Sequence, residues 1–162
     1  CGSCTACIDI CPTQAIVEPY MLDARKCIAY LTIEYKGIIP EELRRGIGNR
    51  VFGCDDCQLI CPWNSFAKKT AIEDFNPRHG LDHLNLLELW QWDEETFLSC
   101  TEGSPIRRTG YQSFMRNIAI GLGNADYSDE ILCALQQKRV LHDEIVQVHI
   151  DWAIAEQQAK AL

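Results

Sequence analysis

The spacing of the cysteines constrains this chain more than any other feature of its sequence. One run is spaced C-x2-C-x2-C-x3-C and a second is spaced C-x2-C-x3-C. These are Cys1, Cys4, Cys7 and Cys11, before Pro12, and Cys54, Cys57 and Cys61, before Pro62. Such close spacing suits a shared metal centre, whereas disulfide frameworks usually distribute their cysteines over loops. The sequence therefore predicts metal-bound thiolates in a reducing compartment, and we expect a cytoplasmic protein.

The first run predicts two 4Fe–4S clusters. In this bacterial-ferredoxin pattern three closely spaced thiolates wrap one iron–sulfur cube, and the fourth, before the proline, is turned toward the other cube. The reason is geometric, because a cube presents its irons at four corners and a tight loop reaches three of them before the chain must leave. A zinc site is the alternative, but zinc sites typically lack the third cysteine and the Cys-Pro pair.

The second run lacks one ligand, because Val51 stands where the pattern would place its first cysteine. Cys27 is used by neither run, so we assign it to the open corner, with a plain buried thiol as the alternative. The predicted ligands are Cys1, Cys4, Cys7 and Cys61 for cluster one, and Cys11, Cys27, Cys54 and Cys57 for cluster two. Cys100 and Cys133 lie in apolar helical contexts and are expected to be core residues.

Composition and charge restrict the partners. The chain has 162 residues, of which 47% are hydrophobic and 23% charged, as in soluble globular proteins. No apolar run approaches the roughly 18 residues that span a bilayer, so no membrane partner is expected. Because the chain begins inside its first motif, we expect it to be the C-terminal part of a longer protein. The formal charge of −8 disfavours non-specific nucleic-acid binding, so any such contact must be local.

The second half contains only helical signals. Asp93 and Ser104-Pro105 are helix starts, Gly121-x-Gly123-Asn124 is interpreted as a helix end, and a last helix is expected from about Asp143. One helix face is indicated by Phe114, Ile118 and Leu122, and the last helix is expected to bury Ile145, Val148, Trp152 and Ala155. The histidines are expected at the surface or in caps; they are His79, His83, His142 and His149.

These signals predict an α+β fold that is mostly α. A ferredoxin-like domain with two clusters covers residues 1–66, a linker covers 67–82, and a HEAT-like helical domain covers 83–162. Two clusters this close together form an electron relay. On residue chemistry alone the chain is an electron-delivery module attached to a reaction centre elsewhere.

The sequence resembles the epoxyqueuosine reductases, cobalamin-dependent iron–sulfur enzymes of tRNA queuosine synthesis. The matching stretches are CGSCTACIDICPTQAI, CIAYLTIEYKGIIPEELRRGIGNRVFGCDDCQLICPWN and SPIRRTGYQSFMRNIAIGLGN. Generic ferredoxins share the cysteines, but they lack the segments 30–34 and 53–58. The resemblance implies an oxidoreductase whose clusters feed electrons to cobalamin, so that the epoxide of a modified wobble base is reduced to an alkene with release of water. A reductive dehalogenase and a non-enzymatic two-cluster electron carrier are the alternatives.

The resemblance also implies where the partners bind. The cobalamin-binding domain and the proton-donating carboxylate of the family lie upstream of Cys1, so no catalytic residue is expected here. The segment near Ala29 and the Cys54-Asp55 turn resemble parts that approach cobalamin, although the family commonly has serine where this chain has Ala29. The substrate would be a tRNA with a GUN anticodon carrying epoxyqueuosine, and the electron donor is unknown. The acid-free interval 103–125 is expected to touch tRNA phosphates through Arg107, Arg108 and Arg116; pairing with the acids of residues 81–102 is the alternative.

Overall fold

The computed structural model describes residues 2–161, which are mostly helical. Their α-helices are α1 (Ala6–Ile10), α2 (Ile28–Ile33), α3 (Glu41–Ile47), α4 (Asp56–Leu59), α5 (Leu86–Trp90), α6 (Glu94–Cys100), α7 (Tyr111–Asn124), α8 (Asp129–Lys138) and α9 (Glu144–Lys160). The strands β1 (Ile16–Glu18) and β2 (Met21–Leu22) form an antiparallel hairpin. Short 3-10 helices cover Ala24–Lys26, Pro62–Phe66, Glu73–Phe75, Pro105–Thr109 and Arg139–Leu141. The predicted fold class, α+β and mostly α, is confirmed.

The two cysteine runs fold in the same way. Each run forms one short helix, α1 or α4, which contains the middle cysteine of the C-x2-C-x3-C stretch. Each of these helices ends before a Cys-Pro pair. The proline cannot donate a backbone hydrogen bond and disfavours helical geometry in the residue before it, so the chain turns away at that point. The helices α1 and α4 pack against each other. This pairing brings the two runs together.

Helix α7 is the centre of the fold. Every residue from Ser113 to Gly123 is buried, and the helix packs against α2, α3, α5, α6 and α9. Helix α7 ends at Asn124, within the stretch interpreted as its end, although both glycines lie inside the helix. A Cβ on Gly123 would come within 2.7 Å of Trp152, and one on Gly121 within 2.8 Å of Leu86. The glycines therefore permit close helix packing.

The predicted helix starts are confirmed, whereas the predicted faces are partly wrong. Asp93 and Asp143 accept hydrogen bonds from the third residue of α6 and α9. In α9 Trp152 is buried as expected, but Val146, Ile150 and Ala153 take the other core positions, while Ile145 and Val148 are half-buried and Ala155 is exposed. His79 and His83 are exposed, but His142 and His149 are buried, so the surface expectation is wrong for these two.

One hydrophobic core joins the two halves of the chain. Its members before residue 67 are Ile28, Leu31, Ile39 and Ile47, and they cluster with the buried residues of α7 and α9. Residues 67–80 are exposed throughout. The division at residues 66 and 82 stays a prediction, but the buried core extends across it. No helix within residues 2–161 is long and apolar enough to span a bilayer.

Candidate metal centres

Four of the predicted ligands line a single cavity. Its volume is about 270 Å³, and the sulfur-bearing residues at its wall are Cys11, Cys27, Cys54 and Cys57. The remaining wall is largely apolar and includes Ala15, Ile16 and Ile28. The fold therefore brings together the complete ligand set predicted for cluster two, including the cysteine that belongs to neither run.

Three more cysteines line a second, smaller cavity. Cys4, Cys7 and Cys61 share a space of about 60 Å³ with Ala6, Pro62 and Trp63. The fourth predicted ligand of this site, Cys1, lies outside the described residues. Residues 4, 7 and 61 come from both runs, so the crossed pattern expected for cluster one is present among the ligands that the structure describes.

The donor chemistry of both cavities suits iron–sulfur clusters. Across residues 2–161 no three His, Cys, Asp or Glu side chains converge closely enough to hold one metal ion. A cube carries its irons at separate corners, so its thiolates surround a volume instead of meeting at a point. Soft thiolate donors are also the ligands that iron–sulfur clusters prefer. The donor set and its arrangement around the cavities therefore fit 4Fe–4S clusters.

The thiols of the larger cavity are electrostatically coupled. Burial raises the pKa of Cys57, and the neighbouring charges of Cys54, Cys27 and Cys11 raise it further. Burial also raises the pKa of Cys54. Four thiolates around one apolar cavity repel one another, and positive charge at its centre would relieve that repulsion. Iron ions bound in the cavity would supply that positive charge.

Cys11 differs because the backbone stabilises its thiolate. Burial raises its pKa, but hydrogen bonds from the backbone of Ala15, Ile16 and Thr13 outweigh this effect, so the net shift is downward. The Ala15 N–H donates to the Cys11 sulfur at 3.2 Å. Hydrogen bonds to cluster sulfurs are one of the factors that set reduction potential. The backbone of this turn therefore stabilises the Cys11 thiolate, and the same hydrogen bonds would influence the reduction potential of a cluster bound there.

Two of the residues predicted near cobalamin, Ala29 and Asp55, lie close in sequence to cysteines that line the larger cavity. Ala29 is half-buried in the first turn of α2, directly after Cys27. Asp55 is exposed at the start of α4, where its carboxylate accepts a hydrogen bond from Gln58 at 2.8 Å. Asp55 directly follows Cys54, and Ala29 is two residues after Cys27; both cysteines are predicted ligands. Their approach to cobalamin stays a prediction.

The arginines predicted to touch tRNA separate into two groups. Arg107 and Arg108 are exposed, and Arg108 pairs with Glu34 at 2.5 Å. That partner lies outside the acidic interval 81–102. Arg116, by contrast, is fully buried and donates to the backbone carbonyls of α2 and of the turn that follows it. The expectation of a surface Arg116 is wrong, because α7 is buried on all sides.

The two remaining cysteines are outside both cavities. Cys100, the last residue of α6, is half-buried, and Cys133 in α8 is exposed. The core expectation is therefore wrong for Cys133. Sequence reasoning also missed the buried polar side chains around Arg116, chiefly Asn117 and Thr32. The sequence did contain a signal for this buried polar group: two consecutive polar residues, Arg116-Asn117, inside a strongly apolar helix.

Comparison with known proteins gives one consistent result. Residues 1–64 match the family described as a 4Fe-4S double cluster binding domain, which supports two 4Fe–4S clusters. The epoxyqueuosine reductase of Pseudomonas aeruginosa is 60% identical over 154 residues, which are 95% of this chain and 43% of the relative. The Escherichia coli epoxyqueuosine reductase is 57% identical over 157 residues, or 97% of this chain and 41% of that protein. The chain thus spans less than half the length of these relatives.

Solved structures agree with the sequence comparison. An epoxyqueuosine reductase structure from Bacillus subtilis superposes with a TM-score of 0.86 at 31% identity, covering 97% of this chain and 42% of the other. A crystal structure of an epoxyqueuosine reductase with an epoxyqueuosine-modified tRNA-Tyr stem loop gives a TM-score of 0.74 at 27% identity, covering 98% and 50%. The similarity includes both the cysteine-bearing half and the helical half.

Proposed function

Because this chain belongs to the epoxyqueuosine reductase family, we propose that it is the electron-relay part of an epoxyqueuosine reductase, an oxidoreductase that converts epoxyqueuosine to queuosine at the wobble position of tRNA. The observation that carries the proposal is the pair of cysteine-lined cavities in a chain 60% identical to such an enzyme. In the proposed assignment Cys1, Cys4, Cys7 and Cys61 hold cluster one, and Cys11, Cys27, Cys54 and Cys57 hold cluster two.

The proposed reaction is a two-electron reduction. Reduction of the epoxide to the alkene consumes two electrons and two protons and releases one water. When bound, the two clusters supply one-electron transfer toward a cobalamin, which we place beside Ala29 and the Cys54-Asp55 turn. This chain contributes the thiolate ligands, the backbone hydrogen bonds to Cys11 and the apolar wall that limits water at the larger cavity. The proton donor would lie in a part of the enzyme outside this chain.

The proposed partners follow from the same assignment. The substrate is a tRNA with a GUN anticodon that carries epoxyqueuosine, and a reducing protein or small molecule supplies the electrons in the cytoplasm. Arg107 and Arg108, which are exposed and lie in an interval without acids, are proposed to contact tRNA phosphates. Arg108 would exchange its partner Glu34 for a phosphate, a small cost because exposed ion pairs contribute at most about 1 kcal/mol.

A chimeric enzyme tests the proposal. This chain would replace the matching 154-residue region of the Pseudomonas aeruginosa relative. After anaerobic reconstitution and addition of cobalamin, the chimera should reduce epoxyqueuosine in a tRNA stem loop. A chimera carrying Cys54→Ser should lose activity, whereas one carrying Cys133→Ser should keep it, because Cys133 is outside both cavities. A chimera that folds and binds eight irons but fails to reduce the substrate would favour a plain electron carrier or a dehalogenase-like role.

A further inference from the structure

Two polar side chains of α7 connect the segments that carry the ligands of the larger cavity. Arg116 and Asn117 are fully buried. The Asn117 amide donates to the carbonyl of Thr32 in α2 and to the carbonyl of Val51, each at 2.8 Å. Thr32 lies five residues after Cys27, and Val51 lies three before Cys54. One amide group thus bridges two segments that each lead to a predicted ligand.

The Asn117 side chain has no freedom in this position. Its oxygen accepts two hydrogen bonds from Arg116, at 3.1 Å from Nε and 3.0 Å from Nη2. Its nitrogen uses both protons on backbone carbonyls. All the hydrogen-bonding capacity of the amide is therefore satisfied, and only one orientation of the group satisfies it.

Arg116 binds the same C-terminal end of α2 as Asn117. Its guanidinium donates to the carbonyl of Leu31 at 2.7 Å and to those of Tyr35 and Gly37 at 2.9 Å. These carbonyls belong to the last turn of α2 and the turn beyond, where unpaired carbonyls and the helix dipole favour a cation. Burial lowers the pKa of Arg116 to about 10, so it stays protonated at neutral pH. No carboxylate lies within salt-bridge distance of it among residues 2–161.

Thr32 adds a third link that ends beside Cys54. Its hydroxyl donates to the carbonyl of Ile28 at 2.7 Å and accepts from the N–H of Gly53 at 2.9 Å. Gly53 has a φ of +76°, a conformation that favours glycine, and it immediately precedes Cys54. The hydroxyl therefore joins the start of α2, directly after Cys27, to the turn that presents Cys54.

We propose that Arg116, Asn117 and Thr32 are positioning residues for the second cluster, which they serve by locking the Cys27 and Cys54 segments in one geometry. This inference rests on the proposed function, because it requires that these cysteines bind a cube. It extends that function by assigning to the helical half a role in holding the cluster. Outer hydrogen-bond partners of metal ligands typically contribute roughly 10–100-fold to metal affinity.

Matched variants test the proposal in the full chain. Asn117→Asp removes both donors with little change of volume, and Asn124→Asp on the same helix is its control. Asn124 also donates to two backbone carbonyls, that of Arg44 in α3 and that of Gly48 directly after α3, but both lie farther from a cysteine than Val51 does. After anaerobic reconstitution, iron release to a chelator and the electron paramagnetic resonance spectrum of the reduced protein are recorded for each variant.

A gentler pair keeps the test informative if Asn117→Asp does not fold. Thr32→Val removes the hydroxyl that accepts from Gly53, and Thr101→Val is its control. The Thr101 hydroxyl is also buried and donates to the carbonyl four residues earlier, at 2.6 Å, but the structure shows no further link through it. In each pair, the test variant loses hydrogen bonds that reach a segment leading to a predicted ligand, and the control variant does not.

We expect Thr32→Val and Asn117→Asp to accelerate iron release from the second cluster about tenfold and to alter its spectrum, while the first cluster is unchanged. The two controls should resemble the parent. Equal effects of test and control variants, or equal loss from both clusters, would overturn the proposal, because both results indicate general destabilisation. The parent chain's iron content tests the proposed function separately; the differences within each pair test the network.

Discussion

Replacing Cys27 by alanine tests the ligand assignment most directly. Cys27 belongs to neither cysteine run, yet its side chain lines the same 270 Å³ cavity as Cys11, Cys54 and Cys57. The parent chain should bind about eight irons and eight sulfides, four of each per cube. With three thiolates left, the second cube should lose its unligated corner iron and leave about seven irons, or dissociate and leave about four. Cluster one should survive, because its predicted ligands lie elsewhere.

The assay combines iron and sulfide analysis with electron paramagnetic resonance of the oxidised and reduced chain. Cys100→Ala and Cys133→Ala are controls, since neither residue lines either of the two cysteine-rich cavities, and both should keep eight irons. The unfolding free energy of the metal-free Cys27→Ala chain should change by only about 1 kcal/mol, a usual value for a point mutation. Eight irons and a parent-like spectrum in Cys27→Ala would refute the assignment and leave Cys27 as a plain thiol.

Three further predictions follow from described contacts. In the chimeric enzyme, Arg107→Gln with Arg108→Gln should weaken tRNA binding and reduce the slope of log K against log salt by about 1.4–1.8, since each phosphate contact contributes about 0.7–0.9; an unchanged slope would mean that neither arginine contacts phosphate. Burial lowers the pKa of His149 from 6.5 to about 4, so the folded state resists protonation and stability is lost as pH falls from 6.5 toward 4. The loss should reach roughly 3 kcal/mol and be smaller in His149→Gln, as denaturant melts at several pH values would measure. Removing iron should expose residues 2–27 to protease before residues 28–51, which pack on α7; simultaneous cleavage of both segments would contradict this.

The sequence predicted the parts of the fold that depend on local chemistry. Cysteine spacing put Cys4, Cys7 and Cys61 in one group and Cys11, Cys54 and Cys57 in another, and each group lines its own cavity. The reach of a short loop limits which thiolates can share a cube; the binding of two cubes by these residues stays a prediction. Helix starts at Asp93 and Asp143 were correct because an N-cap acts within three residues. These inferences needed no knowledge of tertiary contacts.

The errors arose where tertiary packing decides which side chains are buried. A helix with one apolar stripe is expected to expose its other face, but α7 is surrounded, so Arg116 pairs with carbonyls instead of meeting solvent. The stretch from Gly121 to Asn124 does end α7, but the role of its glycines, close approach to other helices, was missed because it involves residues distant in sequence. His149 was expected at the surface, yet its Nε2 accepts the Ile39 N–H across 110 positions.

The long span of the hydrogen bonds from α7 has a consequence for biosynthesis. Asn117 is 66 positions after Val51 and 85 after Thr32, so every ligand cysteine is translated well before the amide that fastens two of their segments. At about 5–20 residues per second, the ribosome takes roughly 3–13 s to travel from Val51 to Asn117. Throughout that interval the nascent chain contains the cysteines but not the Asn117 amide that bonds to their segments. If Asn117 holds the second cluster as proposed, durable insertion of that cluster falls late in translation or after it, once α7 has packed against α2.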